Sequence, residues 1–205
     1  LKQLNIAMRA GGNAKMRLFA PLIFGIAALV QAAPAHAGQI SSLYTSLDLE
    51  KKCKLVASNP DEGGWAQWSC TGHKGMHVRV AEGDLRFFVS FGPNAETQTA
   101  AGQTLAPFNN IHKTLEWRVE RKGKEWVPFA TILRYFWDSD GRKGETLIVT
   151  KLGKDDACHV AHIVANGNPK ANEQARKAAD MRARTFKCGE TQTMRFGPGG
   201  ELLPN

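Results

Sequence analysis

Short stretches in which apolar and polar positions alternate, separated by dense turn signals, run through most of this chain and predict β structure. Residues 53–57, Cys-Lys-Leu-Val-Ala, read as a strand that Asn59-Pro60-Asp61-Glu62-Gly63-Gly64 brings to a turn. Residues 65–70 follow as a second strand in which Trp and Gln alternate. A hairpin centred between Asp61 and Glu62 would set Cys53 opposite Cys70. His77-Val78-Arg79-Val80, the turn Ala81-Glu82-Gly83-Asp84 and residues 85–91 form the clearest hairpin. Residues 92–110, rich in Gly, Pro, Asn, Thr and Gln, predict a long loop. Strands over 114–120 and 125–128 flank Arg121-Lys122-Gly123-Lys124, and a further strand over 131–137 ends at the turn 138–144. Strands over 145–152 and 157–164 close a third hairpin around Gly153-Lys154-Asp155-Asp156. The fold class expected is mainly β (α+β): an antiparallel sheet, sandwich or open barrel of about eight strands, with one C-terminal helix packed on it.

That helix is predicted over 170–184, with Asn168 as cap and Pro169 in the first position. Glu173 and Lys177, then Asp180 and Arg184, stand four apart in the favourable order. Ala171, Ala175, Ala178 and Ala179 give it a small-residue face that can lie close on a sheet. A helix of this length travels about 24 Å. The strand over 157–164 covers about 26 Å, so a helix doubling back along it returns Cys188 to the level of Cys158.

A different pattern opens the chain. Lys15 and Arg17 precede an uncharged apolar run over 18–30, and Ala35-His36-Ala37 supplies a small-x-small cleavage pattern. The run is shorter than the ~20 residues a membrane span needs. We therefore expect residues 1–37 to be an N-terminal extension plus export signal, cut between Ala37 and Gly38, with translation starting at Met8 or Met16. Residues 38–190 are expected to form one disulfide-stapled domain, beginning with a loose lead-in over 38–47, and residues 191–205 a flexible tail. A mature chain starting at Gly38 rather than at a cysteine has no lipid attachment point, so no stable membrane anchor is expected after cleavage.

Cleavage removes Lys2, Arg9, Lys15 and Arg17, which leaves 23 basic against 19 acidic residues, a net +4 in place of +8. So mild a surplus argues against nucleic acid as a partner. Four cysteines in an oxidising compartment predict two disulfides. The hairpin and the returning helix favour Cys53–Cys70 and Cys158–Cys188.

Candidate chemistry is sparse. His73 and His77 are four apart, but Gly72 and Gly75 break any helix that would aim both at one ion. His159 and His162, three apart on a strand, point to opposite faces and could share an ion only across a bulge. Asp138, Asp140, Gly141 and Glu145 are a fragment of a calcium loop opposed by Arg142 and Lys143, and read as a solvated hairpin turn. There is no CxxC, GxSxG, HExxH or P-loop pattern. Ser90 has no base beside it in sequence, and Glu116 would serve as a general acid or base only if buried against Trp117. No catalytic, metal or cofactor-binding residue is assigned, and no cofactor is expected. Trp65, Trp68, Trp117, Trp126 and Trp137, with Tyr135 and Phe136, either fill the core or form a face for carbohydrate or peptide. Arg176, Lys177, Arg182, Arg184 and Lys187 are either a solvated helix face or a contact for an acidic envelope component.

Residues 43–49 (Leu-Tyr-Thr-Ser-Leu-Asp-Leu) with Lys52-Cys53, residues 82–90 (Glu-Gly-Asp-Leu-Arg-Phe-Phe-Val-Ser), residues 128–132 (Pro-Phe-Ala-Thr-Ile) and residues 157–161 (Ala-Cys-His-Val-Ala) span most of the chain. Together they resemble an uncharacterised family of small exported proteins of Gram-negative bacteria. The resemblance implies a periplasmic location and transfers no catalytic residue or ligand. The function expected is that of a periplasmic binding or interaction protein of the cell envelope, with an envelope protein or a glycan as partner. The alternative is an envelope-acting hydrolase with a dispersed active site.

Overall fold

The alternating segments become eleven strands in two sheets in the computed structural model, which describes residues 38–61 and 64–204. The expected export signal and its cut at Ala37 lie outside the described residues. In chain order the elements are β1 (Ile40–Ser46), β2 (Cys53–Asn59), β3 (Trp65–Thr71), β4 (His77–Gly83), β5 (Arg86–Phe91), β6 (Phe108–Lys122), β7 (Glu125–Ser139), β8 (Arg142–Leu152), β9 (Ala157–Val164), α1 (Ala171–Arg182), β10 (Met194–Phe196) and β11 (Leu202–Leu203). The large sheet runs β1-β6-β7-β8-β9-β10-β11 and the small one β2-β3-β4-β5. Every pairing is antiparallel except β9 with β10. The expected mainly β architecture with one helix is what forms, as two stacked sheets rather than a closed barrel.

Both faces of the large sheet are covered, and residue alternation sorts its side chains between the two covers. One face carries Leu115, Trp117, Val119, Leu133, Tyr135 and Ile148 against Val78, Val80, Val89 and Phe91 of the small sheet. The other carries Ala130, Ile132, Leu147, Val149, Val160 and Ile163 against the predicted alanine face of α1. Trp117 is fully buried, its Nε1 donating to Thr45 Oγ1 at 2.8 Å. Its ring fills the space where a Cβ at position 72 would stand, 2.4 Å from the nearest ring carbon, so only glycine fits there.

Several expectations need correction. Residues 40–46 are not a loose lead-in: β1 pairs with β6 from Ile40↔Glu120 to Ser46↔Thr114. The separate strands expected over 125–128 and 131–137 are one fifteen-residue strand, β7, bulged at Phe129 where Val119↔Pro128 gives way to Arg118↔Ala130. Residues 191–205 include two strands rather than only a free tail, because β10 finds open backbone partners along β9 and β11 folds back on β10. The turn between β4 and β5 is Asp84-Leu85, one residue beyond the Gly83 expected to shape it. Asn168 does not cap α1. Its Oδ1 accepts from Lys170 N at 3.0 Å, which closes a local turn, and the helix begins beyond it.

The disulfides are Cys53–Cys70 and Cys158–Cys188, as favoured. Cys53 and Cys70 stand directly opposite with 4.3 Å between Cα atoms, the spacing of a pair without mutual backbone hydrogen bonds. Their alignment depends on a bulge at Val56, since Ala57 pairs with Gln67 and Leu55 with Trp68. The two disulfides suggest an oxidising, exported compartment. No helix among the described residues is long and apolar enough to cross a membrane.

Ion pairs fasten α1 to the sheet. Arg118 donates to both carboxylate oxygens of Asp180, at 2.9 and 2.6 Å, and also to Ser42. Ser42 in turn donates to Glu116 at 2.5 Å, and Arg176 donates to the same carboxylate at 2.6 Å. Arg184 reaches Glu120 at 3.4 Å and lies over the Phe129 ring. Arg176 and Arg184 thus pair with the sheet's own carboxylates. The Arg118 side chain is only 8% exposed, so removing its partner strands a buried charge, which costs about 3 kcal/mol. Asp180→Ala should lower the urea-unfolding free energy by about that amount, whereas Lys177→Ala on the same helix should leave it nearly unchanged.

Candidate functional site

Where the turns of the β4–β5 and β7–β8 hairpins meet, the two sheets leave a cleft of 640 Å³ between them. Trp68, Glu82 and Phe87 form its small-sheet wall, with Leu85 at the rim. Phe108, Asn109, Phe136, Trp137, Asp138, Lys143, Gly144 and Glu145 line the large-sheet side. The Trp68 and Phe87 rings stack with centroids 6.3 Å apart and planes 20° from parallel. Trp137 lies flat on the backbone of Gly144, where an added Cβ would come within 2.1 Å of the ring, and its Nε1 donates to Thr146 Oγ1 at 3.1 Å. Phe108 is 48% exposed, and the guanidinium of Arg86 sits 5.1 Å from its ring centre. Glu145 is paired with Arg134 at 2.5 Å, which leaves Glu82, Asp138 and Lys143 as the cleft's charges without a paired partner among the described residues.

The rim is strained. Asp84 and Leu85 both hold positive φ, +51° and +57°, and Leu85 is 61% exposed. Asp tolerates that conformation, but a branched apolar side chain rarely adopts it and would ordinarily be replaced there by Gly or Asn. A large apolar residue is thus held in strained backbone and left exposed beside an aromatic cleft.

The long loop expected over 92–110 stops at 107, because residues 108–110 already belong to β6, and it is tied down by side chains. Gln98 accepts from Phe91 N at 3.0 Å and donates to Phe91 O at 2.6 Å. Thr99 bonds Asp156 through its N and Oγ1 at 2.8 and 2.6 Å, and Thr104 Oγ1 donates to Phe87 O at 2.6 Å. Asn109 completes the anchor: its Oδ1 accepts from Phe87 N at 3.0 Å, and its Nδ2 donates to Thr104, Leu105 and Pro107. The cleft wall at β5 is therefore held by Gln98 and Thr104 of this loop and by Asn109 at the start of β6.

The histidine pair on β9 departs from expectation. Val149 pairs with Ala161 but Thr150 pairs with His159, so Val160 is an extra residue. Ile148 and Thr150, two apart on β8, face the same side, and so do their partners His162 and His159. The two rings meet with His159 Nδ1 and His162 Nε2 3.0 Å apart. Burial, reinforced by the charge of Arg195, pushes His162 down to about 4. Burial first, then the neighbouring ring, pushes His159 well below the usual histidine range.

Other candidates resolve simply. Glu116 is buried, but on the helix side and tied to Arg176 and Ser42, not set against Trp117 as a free acid or base. Asp138 Oδ1 accepts from Gly141 N at 3.1 Å and closes the β7–β8 turn. His77 contacts Gly92 O at 3.3 Å, while His73 packs near the Trp117 ring. The aromatics divide between both readings: Trp117 and Tyr135 are core, whereas Trp68, Phe136 and Trp137 line the cleft. Phe87, Phe108, Glu82 and Asn109 join them without having been singled out in sequence. Phe87 was legible in principle, as an aromatic on the inward parity of its strand.

The histidines make folding stability depend on pH in a definite direction. Their folded pKa values lie below the ordinary 6.5, so the unfolded chain binds more protons than the folded one between about pH 4 and 6.5. The stabilisation is complete above about pH 6.5 and is lost as the pH falls through that window. Urea unfolding in chelator-treated buffer should show a loss of about 2 kcal/mol from His162 between about pH 7 and pH 5, with His159 acting in the same direction. His162→Gln should flatten the profile. No protein-family profile, curated protein or solved structure matches this chain, so its reading rests on the cleft and the histidine pair.

Proposed function

We propose that this chain is an exported binding protein of the Gram-negative cell envelope, acting in the periplasm, and that the aromatic cleft is its binding site. The observation that carries the reading is the strained, exposed Leu85 at the rim of a cleft walled by Trp68, Phe87, Phe108, Phe136 and Trp137. Flat ring faces bind the apolar face of a sugar ring or a peptide side chain. Glu82, Asp138, Lys143 and the amide of Asn110 border those rings and offer hydrogen-bonding partners to the polar edge of such a ligand. An envelope glycan or a segment of an envelope protein has this combination of surfaces. The two disulfides support the compartment.

Tryptophan fluorescence reports directly on the cleft, since Trp68 and Trp137 line it. Titration with soluble envelope glycan fragments, and separately with peptides, should give a saturable change with one class. Phe108→Ala and Phe136→Ala, both at exposed positions, should each weaken that binding about tenfold, equivalent to about 1.4 kcal/mol. A saturable response that survives both substitutions would move binding elsewhere, and no response to either class would overturn the reading. Steady turnover of the bound fragment would instead favour the hydrolase alternative.

Leu85→Gly gives a second, opposed readout. Relief of the positive-φ strain should raise unfolding stability by about 1 kcal/mol, while loss of the rim side chain weakens ligand binding. A position serving stability alone would not separate the two.

A further inference from the structure

We propose that His159 and His162 form a second site, distinct from the cleft, that binds a nitrogen-preferring divalent transition-metal ion, zinc or copper(II), in exchangeable form. The bulge at Val160 carries the argument. Without that extra residue the two histidines would lie on opposite faces of β9, whereas here Val160 and Ala161 both pack toward α1 and the rings converge on the other side. Bulges re-aim side chains in this way and concentrate next to functional sites.

The separation suits chelation. Two nitrogens about 2.05 Å from one ion stand about 3.3 Å apart at a tetrahedral angle and about 2.9 Å apart at a right angle. His159 Nδ1 and His162 Nε2 are 3.0 Å apart, between those values. In the metal-free pair a proton is shared along this contact. Moving it to an outer ring nitrogen, with a turn of each ring that aims both lone pairs at one ion beside the N···N line, lets the ion displace a hydrogen bond without net proton release.

The surroundings hold the ligands and leave a way in. Gln103 Oε1 accepts from His159 N at 2.7 Å, and Thr193 Oγ1 donates to His159 O at 2.9 Å, fixing the bulged backbone from both sides. A pocket of 550 Å³, lined by Arg86, Gln103, Thr104 and Thr193, opens onto the rings. Arg195 pairs with His162 across the β9–β10 ladder and opposes a cation, though its guanidinium is engaged by Pro204 O at 3.4 Å. No group of three or more His, Cys, Asp or Glu converges among the described residues. An ion here keeps water in its remaining positions, and that openness together with Arg195 makes it exchangeable rather than structural.

Isothermal titration of the full chain with zinc, and separately with copper(II), tests this. The expected result is one ion per chain, bound tighter with copper(II), as the general order of affinities for such ligands requires. His162→Gln should weaken binding at least tenfold, and the double control His73→Gln/His77→Gln should leave it unchanged. Absence of stoichiometric binding, or binding that survives His162→Gln, overturns the proposal. If His162→Gln does not fold, imidazole nitrogen spectra of the wild-type protein decide. Zinc must then shift the His159 Nδ1 and His162 Nε2 resonances ahead of those of His73, His77 and His112, and any other order counts against the site.

Discussion

The large sheet is buried on both faces, and the covers differ in kind. Toward the small sheet the contact is bulky and apolar, built around Trp117 and Tyr135. Toward α1 it is shallow, because the helix presents alanines that bring its backbone close but bury little area each. The arginine–carboxylate pairs reinforce that thinner contact. A charge as buried as Arg118 is tolerable only with Asp180 in place, so the clasp fixes where the helix lies more than it adds net stability.

What the sequence revealed follows the reach of local patterning. The alanine face, both disulfides and the central hairpins were legible because each is governed by spacing within one or two elements. The short outer strands were not. Ile40-Ser41-Ser42-Leu43 and Met194-Arg195-Phe196 have little pattern of their own and are strands because the backbones of β6 and β9 offer them partners. The bulges at Val56, Phe129 and Val160 escaped for the same reason, since an extra residue is defined only by what stands opposite it. That is why strict alternation set His159 and His162 apart when the folded strand brings them together.

The site was half legible. Trp68, Phe136 and Trp137 were suspect as aromatics on strands, but parity sets the neighbours Phe136 and Trp137 on opposite faces of β7, while both line the cleft at its margin. Parity does not say where along the strand the opposing cover stops. Trp117 and Trp137 are both on strands of the large sheet, one sealed under the small sheet and one at its open margin. Leu85 stood in the sequence as the first residue after a turn, and only its backbone conformation distinguishes it.

The loop over 92–107 also has a bearing on how the protein behaves among its neighbours. As the last strand of the small sheet, β5 would present a row of unsatisfied backbone groups to any passing chain. Gln98, Thr104 and Asn109 occupy that row with amide and hydroxyl groups at Phe87 and Phe91. At the opposite border the kink at Val56 and the adjacent Lys54 spoil a straight match along β2. A sheet finished in this way resists runaway strand-by-strand growth into aggregates, and its own side chains supply the protection.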